Sequence, residues 1–207
     1  SGFDLVEDRN LAAQAAGLRI AESAPRLATE CATIVSSLPN DAALEETASM
    51  IATSARAGSV YIDTSTVSIE ASARVATVLS AAGIAYLRCT VSGNNHMAEA
   101  AQLTVMVSGP RETFDEARAI FNSWGATCFY LGDAEQARLM KLVINLMIML
   151  TSGMLAEALT LGRKGGLDWN DMWQVISASA VASPIVKAKA AMLGRRDFSP
   201  TFTVQQM

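Results

Sequence analysis

A lysine and an asparagine stand four residues apart within one of the most apolar stretches of the chain, EQARLMKLVINLMIMLTSGML. Positions four and eleven residues apart share a face of an α-helix, so Asn145 and Ser152 would join Lys141 in one polar stripe. Lysine is rarely fully buried, and such a stripe can simply face solvent. If the stripe instead lines a cleft, partial burial lowers the pKa of the lysine and suits it to proton transfer.

A second candidate is the loop TVSGNN, which follows a predicted strand. In open α/β sheets, ligands bind beyond the carboxyl ends of strands. Ser92 offers a hydroxyl, and Gly93 allows the backbone to approach a ligand closely and present amide groups to an anion. Gly-Asn-Asn is also common in simple turns, so the pattern alone leaves both interpretations open.

A third candidate is Asp8, which follows a strand predicted over Leu5–Glu7. A Rossmann fold places at this point the acidic residue that binds the adenosine ribose. Asp8 could equally be the N-cap of the following helix. The glycine fingerprint G-x-G-x-x-G would be expected about 20 residues upstream, whereas seven residues precede Asp8.

Composition excludes several classes of function. The 207 residues carry a net charge of −4 and have no basic run interleaved with aromatic residues, so we expect no nucleic-acid partner. The longest apolar run, 142–156, is short for a bilayer span and contains Asn145, so we expect no membrane insertion. Three scattered cysteines without CxxC spacing, and a single histidine, His96, predict no metal site. Reduced thiols and the absence of a signal peptide indicate a cytoplasmic protein.

The elements that must position these residues change in kind along the chain. Short β-branched segments alternate with Ala-rich helical segments as far as Gly132, which predicts a Rossmann-like α/β domain over 1–132 with a mostly parallel sheet. LTVMV follows its predecessor without a long helix and is predicted to be antiparallel. From 133 to 207 we expect an all-α domain built on a long interdomain helix, from about Ala134 to Lys164. Asp168 is the predicted N-cap of the next helix.

In this order, the segments resemble the β-hydroxyacid dehydrogenase family, which includes 3-hydroxyisobutyrate dehydrogenase and, more distantly, 6-phosphogluconate dehydrogenase. The resemblance covers nearly the whole chain. It rests on LVEDRN (5–10), SSLPND (36–41), YIDTSTVS (61–68), TVSGNNHMAEAAQLTVMVSG (90–109), KLVIN (141–145) and EALTLGRKGGLD (157–168).

The chain departs from the family pattern at several positions. The D-A-P that usually precedes V-S-G is Arg88-Cys89-Thr90 here, the second glycine of the substrate loop is Asn94, and the first asparagine of K-x-x-N-N is Ile144. The first strand with its glycine loop, and the last helices of the family, have no counterpart in this sequence. We therefore expect these 207 residues by themselves to bind a dinucleotide poorly.

The resemblance implies an NAD(P)-dependent oxidoreductase that interconverts a small β-hydroxyacid and its semialdehyde or ketone. It implies a catalytic role for Lys141 and Asn145, and carboxylate binding by Ser92, Gly93 and Asn94. The cofactor would be NAD or NADP, with NAD slightly preferred. The implied cofactor-binding residues are Asp8, Arg9, Leu38, Pro39, Ser65 and Thr66.

Two alternatives share this architecture. One is an imine reductase, against which the retained Lys141 argues, since those enzymes generally place another residue there. The other is a non-catalytic dimerisation or binding module that has lost the glycine loop. The hydrophobic fraction of 51% predicts an oligomer interface in either case, and we expect a homodimer or homotetramer.

Overall fold

The computed structural model of the protein describes residues 1–197 and Ser199. The chain forms two compact units, a first unit of Ser1–Lys141 and a second that begins at Leu142. The first unit contains a five-stranded sheet. After Tyr130, the described part of the chain forms helices and no further strand. The fold is therefore α/β followed by a helical region, as the sequence predicts.

The sheet has the strand order β1-β2-β3-β4-β5, which is also the order along the chain. Strands β1, β2 and β3 are mutually parallel, β4 is antiparallel to β3, and β5 is parallel to β4. The antiparallel direction predicted for LTVMV is thus confirmed, because only a five-residue helix separates it from β3. The strands are Thr33–Ser36 (β1), Val60–Asp63 (β2), Ala85–Ser92 (β3), Thr104–Ser108 (β4) and Thr127–Tyr130 (β5).

Helices cover both faces of this sheet, and most of them begin at a polar cap. Ser23, Asn40 and Ser68 each accept a backbone N–H bond at the start of their helices, which satisfies amides that have no partner within the helix. The helices of this part are Glu7–Ala15 (α1), Ala24–Glu30 (α2), Asp41–Ser54 (α3), Ile69–Ala81 (α4), Asn95–Glu99 (α5) and Arg111–Trp124 (α6).

Alternation along β3 divides the core into two layers. Tyr86 belongs to the cluster formed with α3 and α4, whereas Leu87 and Cys89 pack with the aromatic residues of α6, Phe114 and Phe121. Successive side chains of a strand point to opposite faces, which explains this division. On the Tyr86 face the row continues with two buried polar side chains, Arg88 and Thr90.

The strand predicted over Leu5–Glu7 is wrong. Helix α1 already begins at Glu7, and the preceding segment makes one isolated bridge, between Gly2 and Ile20. The cause is local hydrogen bonding. The Asp4 carboxylate accepts from the amide of Val6, and the Asn10 side chain bonds both the amide and the carbonyl of Asp4, which folds the segment onto the helix start.

The long predicted helix is confirmed as α7, Gln136–Lys164, which passes from the first unit into the second. It ends at Lys164, as predicted. Arg163 and Lys164 lie in its last turn, where cations are favourable, and Gly166 follows at a positive φ of 83°. Asp168 caps α8 (Trp169–Ala178) through the amides of Asn170 and Asp171, also as predicted. Helix α9 spans Pro184–Leu193. The second unit has a small core of its own, formed by Leu155, Leu159, Met172, Trp173 and Val186.

Much of the α7 surface is apolar and exposed. Among the described residues, α7 is the one helix long and apolar enough to cross a membrane by length and composition, with a mean hydropathy of 1.8. Only 17% of that apolar window is buried. The same criterion is also met by core helices of soluble proteins. We call the group Leu142, Val143, Leu146, Met147, Leu150 and Met154 the exposed α7 surface.

Candidate functional site

Lys141 is half-buried and directed at strand β3. Its ammonium group donates a hydrogen bond of 2.8 Å to the carbonyl oxygen of Val91, the residue just before Ser92. Desolvation by burial lowers the pKa of Lys141. Of the two interpretations of the polar stripe, this contact favours a lysine held beside the strand end over one that extends freely into solvent.

The two other members of the stripe differ from Lys141 and from each other. Asn145 is 7% exposed, and four residues after Lys141 it occupies the same face of α7. Ser152 is exposed, and its hydroxyl donates to the carbonyl of Ile148 in its own helix. The polar stripe therefore consists of a half-buried lysine, a buried amide and an exposed hydroxyl that bonds within its own helix.

The loop Ser92–Asn94 begins where β3 ends. Gly93 has a φ of +149°, and a Cβ atom there would lie 2.6 Å from Cδ2 of Leu103. This is a conformation that side chains rarely adopt, so glycine is the residue that fits. Asn94 is the N-cap of α5, and its Oδ1 accepts from the amide of Met97 at 3.0 Å. The side chain of Asn94 is therefore engaged in the structure of the loop itself.

Two loops at the ends of β1 and β2 are bonded to each other. The Asp63 carboxylate accepts from the hydroxyls of Ser36 (2.5 Å) and Ser65 (2.6 Å). The Ser65 hydroxyl in turn accepts from the amide of Leu38 at 2.7 Å. The structure thus brings Leu38 and Ser65 together as one wall. Pro39 follows Leu38 as an exposed residue, and Thr66 follows Ser65 half-buried.

Arg138 joins this wall to α7, and sequence analysis missed it. Its side chain is 1% exposed and forms an ion pair with Asp63, donates to the carbonyl of Ser65, and donates to the Tyr86 hydroxyl at 2.9 Å. Burial disfavours the charge on Arg138, but its interactions with Tyr86 and Asp63 outweigh burial and raise its pKa. The available signal was an arginine within an apolar segment, which indicates a buried charge that needs a partner. That partner, Asp63, lies 75 residues away in sequence, so the local pattern did not identify it.

A second ion pair explains one departure from the family pattern. Arg88 is 6% exposed, and its guanidinium reaches Oε1 of Glu135 at 2.5 Å while lying over the ring of Tyr86. Two residues later, the Thr90 hydroxyl donates to the carbonyl of Ala137 at 3.0 Å. Arg88 and Thr90 replace the aspartate and proline of D-A-P, and both bond to the segment at the start of α7. The substitutions therefore attach this segment to β3.

Asp8 and Arg9 lie at the surface of α1. Asp8 is in the first turn of the helix, whereas the N-cap is Val6, so the alternative that Asp8 caps the helix is wrong. Arg9 forms an exposed ion pair with Asp4 at 3.4 Å. Asp8 is exposed, and its carboxylate is accessible to a ligand.

The described residues contain no group of three or more potential metal ligands among histidine, cysteine and acidic side chains. His96 lies in α5, where it is exposed and 4.0 Å from Glu99. The three cysteines Cys31, Cys89 and Cys128 are free thiols. Burial raises the pKa of Cys89, which makes it an unreactive core residue.

The fold and the site together define a class of protein. Three parallel strands end in loops rich in hydroxyl groups, and a half-buried lysine lies at the end of the third strand, as in a Rossmann-type dehydrogenase. Residues 1–132 match the family described as the NAD binding domain of 6-phosphogluconate dehydrogenase. Residues 136–207 match the family described as NAD-binding of NADP-dependent 3-hydroxyisobutyrate dehydrogenase. The chain belongs to the β-hydroxyacid dehydrogenase family, whose cofactor is NAD or NADP.

Individual relatives agree with this assignment. The chain is 32% identical over 190 residues to 2-(hydroxymethyl)glutarate dehydrogenase from Eubacterium barkeri, covering 90% of this chain and 63% of the relative. It is 28% identical to glyoxylate/succinic semialdehyde reductase 1 from Arabidopsis thaliana, covering 72% of this chain and 51% of the relative. The chain thus spans between half and two thirds of the length of these relatives.

A solved structure shows the same fold. 3-Hydroxyisobutyrate dehydrogenase from Mycobacterium tuberculosis, solved with L-serine, superposes with a TM-score of 0.86 at 25% identity. The superposition covers 98% of this chain and 72% of the other chain.

Proposed function

We propose that the protein catalyses the NAD(P)-dependent interconversion of a small β-hydroxyacid and its semialdehyde or ketone. The observation that carries this proposal is the contact between Lys141 and the carbonyl of Val91, directly before the Ser92–Asn94 loop. It sets a cation of lowered pKa beside a strand end that carries a hydroxyl and exposed backbone. The family match and the dehydrogenase relatives support the same chemistry.

Lys141 is the proton-transfer group in this mechanism. In the reductive direction its ammonium donates a hydrogen bond, and then a proton, to the reacting oxygen of the substrate. In the oxidative direction the neutral amine accepts the hydroxyl proton. Both roles need a pKa nearer to neutrality than that of a solvated lysine, which partial burial supplies.

The substrate carboxylate binds at the loop after β3. Ser92 donates its hydroxyl, and the backbone amides near Gly93 and Asn94 provide further donors, because Gly93 carries no side chain of its own that would cover them. Asn145, on the face of α7 shared with Lys141, orients the substrate or the lysine. A small acid with its hydroxyl on the β carbon has the two functional groups that this arrangement requires.

The residues at the ends of β1 and β2 fit the cofactor. The loops containing Leu38, Pro39, Ser65 and Thr66 are held together through Asp63 and form a wall at the carboxyl edge of the sheet. Bound NAD or NADP supplies the hydride chemistry.

We infer a preference for NAD, since the exposed Asp8 carboxylate would accept from a ribose hydroxyl and repel a 2′-phosphate. Arg9, the next residue, would instead attract that phosphate. Turnover of Asp8→Ser with each cofactor tests the preference. The ratio of kcat/KM for NAD to that for NADP should fall in this variant, and an unchanged ratio would contradict the role of Asp8.

The central experiment is turnover of Lys141→Met in the full-length protein, with a panel of β-hydroxyacids and both cofactors. Methionine keeps the volume and helix propensity but cannot donate or accept the proton. We expect kcat to fall by about 10²–10⁴, the usual contribution of a positioned acid or base, with the melting temperature nearly unchanged. Asn145→Ala should cost less, since it positions groups without transferring a proton. A stable Lys141→Met protein with unchanged turnover would leave the non-catalytic binding module as the better hypothesis.

We further propose that the exposed α7 surface binds a second copy of the protein. Leu146, Met147 and Leu150 are each more than half exposed, and apolar patches of this kind on a soluble protein mark interaction surfaces.

We also propose a cytoplasmic location, which agrees with three free cysteines and can be tested by cell fractionation.

A further inference from the structure

Arg138 is the largest fully buried side chain among the described residues. Burying a guanidinium is costly unless its charge and its donors are paired. Even a well-paired buried ion pair is often no more stabilising than apolar side chains of the same volume. Stability alone therefore does not account for Arg138 and Asp63 at this position, and the geometry that they impose is the more informative property.

The hydrogen bonds of this pair connect three segments. Arg138 lies three residues before Lys141 on α7 and binds Asp63 at the end of β2. Asp63 accepts from Ser36 and Ser65, and Ser65 accepts from Leu38, so the chain of bonds continues into the loop after β1. The helix turn that precedes the lysine is thus bonded directly to the loop after β2, and through Asp63 and Ser65 to the loop after β1.

Attachment of α7 to the sheet does not require Arg138. The Arg88–Glu135 pair and the bond from Thr90 to Ala137 already attach the same helix start to β3. Neither of these contacts reaches the loops after β1 and β2. Arg138 is the residue that adds the link to those loops, through Asp63 and through the carbonyl of Ser65.

We propose that Arg138 is a positioning residue that sets the place of Lys141 relative to the cofactor wall. It acts through Asp63 and the Ser65 carbonyl and touches neither substrate nor cofactor. This inference rests on the proposed function, because only in that mechanism must Lys141 be held at a fixed distance from the bound cofactor. A displacement of about 1 Å at a reacting group can lower the rate by about 10²-fold.

The test compares Arg138→Met with Arg88→Met in the full-length protein. Both changes remove a buried guanidinium from an ion pair that attaches the start of α7 to the sheet, and both should lower the melting temperature. We expect Arg138→Met to lower kcat by about 10–100-fold at saturating substrate and cofactor. Arg88→Met should keep kcat within about twofold, and Arg138→Lys, which retains the charge, should recover part of the loss.

A second variant keeps the test decisive if Arg138→Met does not fold because Asp63 is left unpaired. Arg138→Met combined with Asp63→Asn removes both charges, so no uncompensated charge stays buried. The double variant should fold and should still show the loss of kcat. The inference is overturned if the Arg138 variants that fold keep kcat within about twofold. It is also overturned if Arg88→Met, at a similar loss of melting temperature, lowers kcat as much as Arg138→Met does.

Lys141→Met, measured in parallel, separates this inference from the proposed function. Loss of turnover in Lys141→Met together with normal turnover in the Arg138 variants would overturn the positioning role alone. Unchanged turnover in Lys141→Met would overturn the proposed function, and the positioning role with it.

Discussion

The ammonium group of Lys141 lies 2.8 Å from the carbonyl oxygen of Val91, although fifty residues separate the two in sequence. This contact ties the first turns of α7 to the end of β3. The amine at this contact is partly buried, and the burial lowers its pKa.

The first prediction concerns the pH dependence of turnover. Because the pKa of Lys141 is lowered in the folded protein, its charged form is lost at a lower pH than for a solvated lysine. Reduction, which needs the ammonium, should decline as pH rises through this pKa, and oxidation, which needs the amine, should increase over the same range. In Lys141→Arg the group stays protonated, so oxidation should be lost and the inflection should disappear. An inflection retained in Lys141→Arg would assign it to another group.

The same pKa shift predicts an effect on stability. The unfolded chain binds the proton of Lys141 more tightly than the folded chain, so this residue makes stability rise with pH between its folded and unfolded pKa values. Lys141→Met removes this dependence. Melting temperatures of the two proteins should therefore differ more at neutral pH than at alkaline pH, with the variant at least as stable at neutral pH. A constant difference across this range would contradict the shift.

The third prediction concerns the substrate loop. Ser92→Ala removes a hydroxyl donor at the end of β3 and should raise KM for acid substrates, because a hydrogen bond to a charged group contributes about 1.5–3 kcal/mol. Cofactor affinity should stay the same. The control is Ser123→Ala on α6, whose hydroxyl donates within its own helix and is exposed. Equal losses for acid and cofactor would show that Ser92 has a structural role instead.

The fourth prediction compares two glycine-to-alanine changes of opposite sign. Gly93→Ala places a Cβ 2.6 Å from Leu103 at a φ of +149°, so it should destabilise the protein by about 1–3 kcal/mol and distort the loop. Gly153→Ala lies within α7, where an added Cβ meets nothing within 4 Å, and should stabilise by about 0.5–1 kcal/mol. Thermal unfolding of both variants is the measurement, and a neutral Gly93→Ala would remove the argument for a special loop conformation.

The fifth prediction concerns assembly. Leu146→Glu introduces a charge at the centre of the exposed α7 surface and should shift the protein toward monomer in light scattering. Val78→Glu, at an exposed apolar residue of α4, is the matched control and should leave the mass unchanged. A wild-type monomer would contradict the second-copy proposal, and binding to lipid vesicles that Leu146→Glu abolishes would assign the surface to a membrane instead.

The sequence by itself determined the elements whose signals are local. Alternating β-branched and Ala-rich segments predicted the α/β part. The long, mostly apolar segment around Lys141 predicted α7, and Asp168 predicted the start of α8. It failed at Leu5–Glu7, where β-propensity was overridden by the hydrogen bonds among Asp4, Val6 and Asn10. Side chains that bond nearby backbone offer the chain an alternative to a strand, and single-residue propensities do not register them.

Only the tertiary structure decided which polar residues lie together. The sequence placed Lys141 and Ser92 in separate segments that were connected by family resemblance, and it gave no sign that Arg138 would be buried against Asp63 or that Arg88 would pair with Glu135. Such pairings depend on how a helix lies across a sheet, which is set by the packing of whole elements. A local pattern can show that a charge sits in an apolar segment, but the partner that makes its burial tolerable is fixed by contacts between distant parts of the chain.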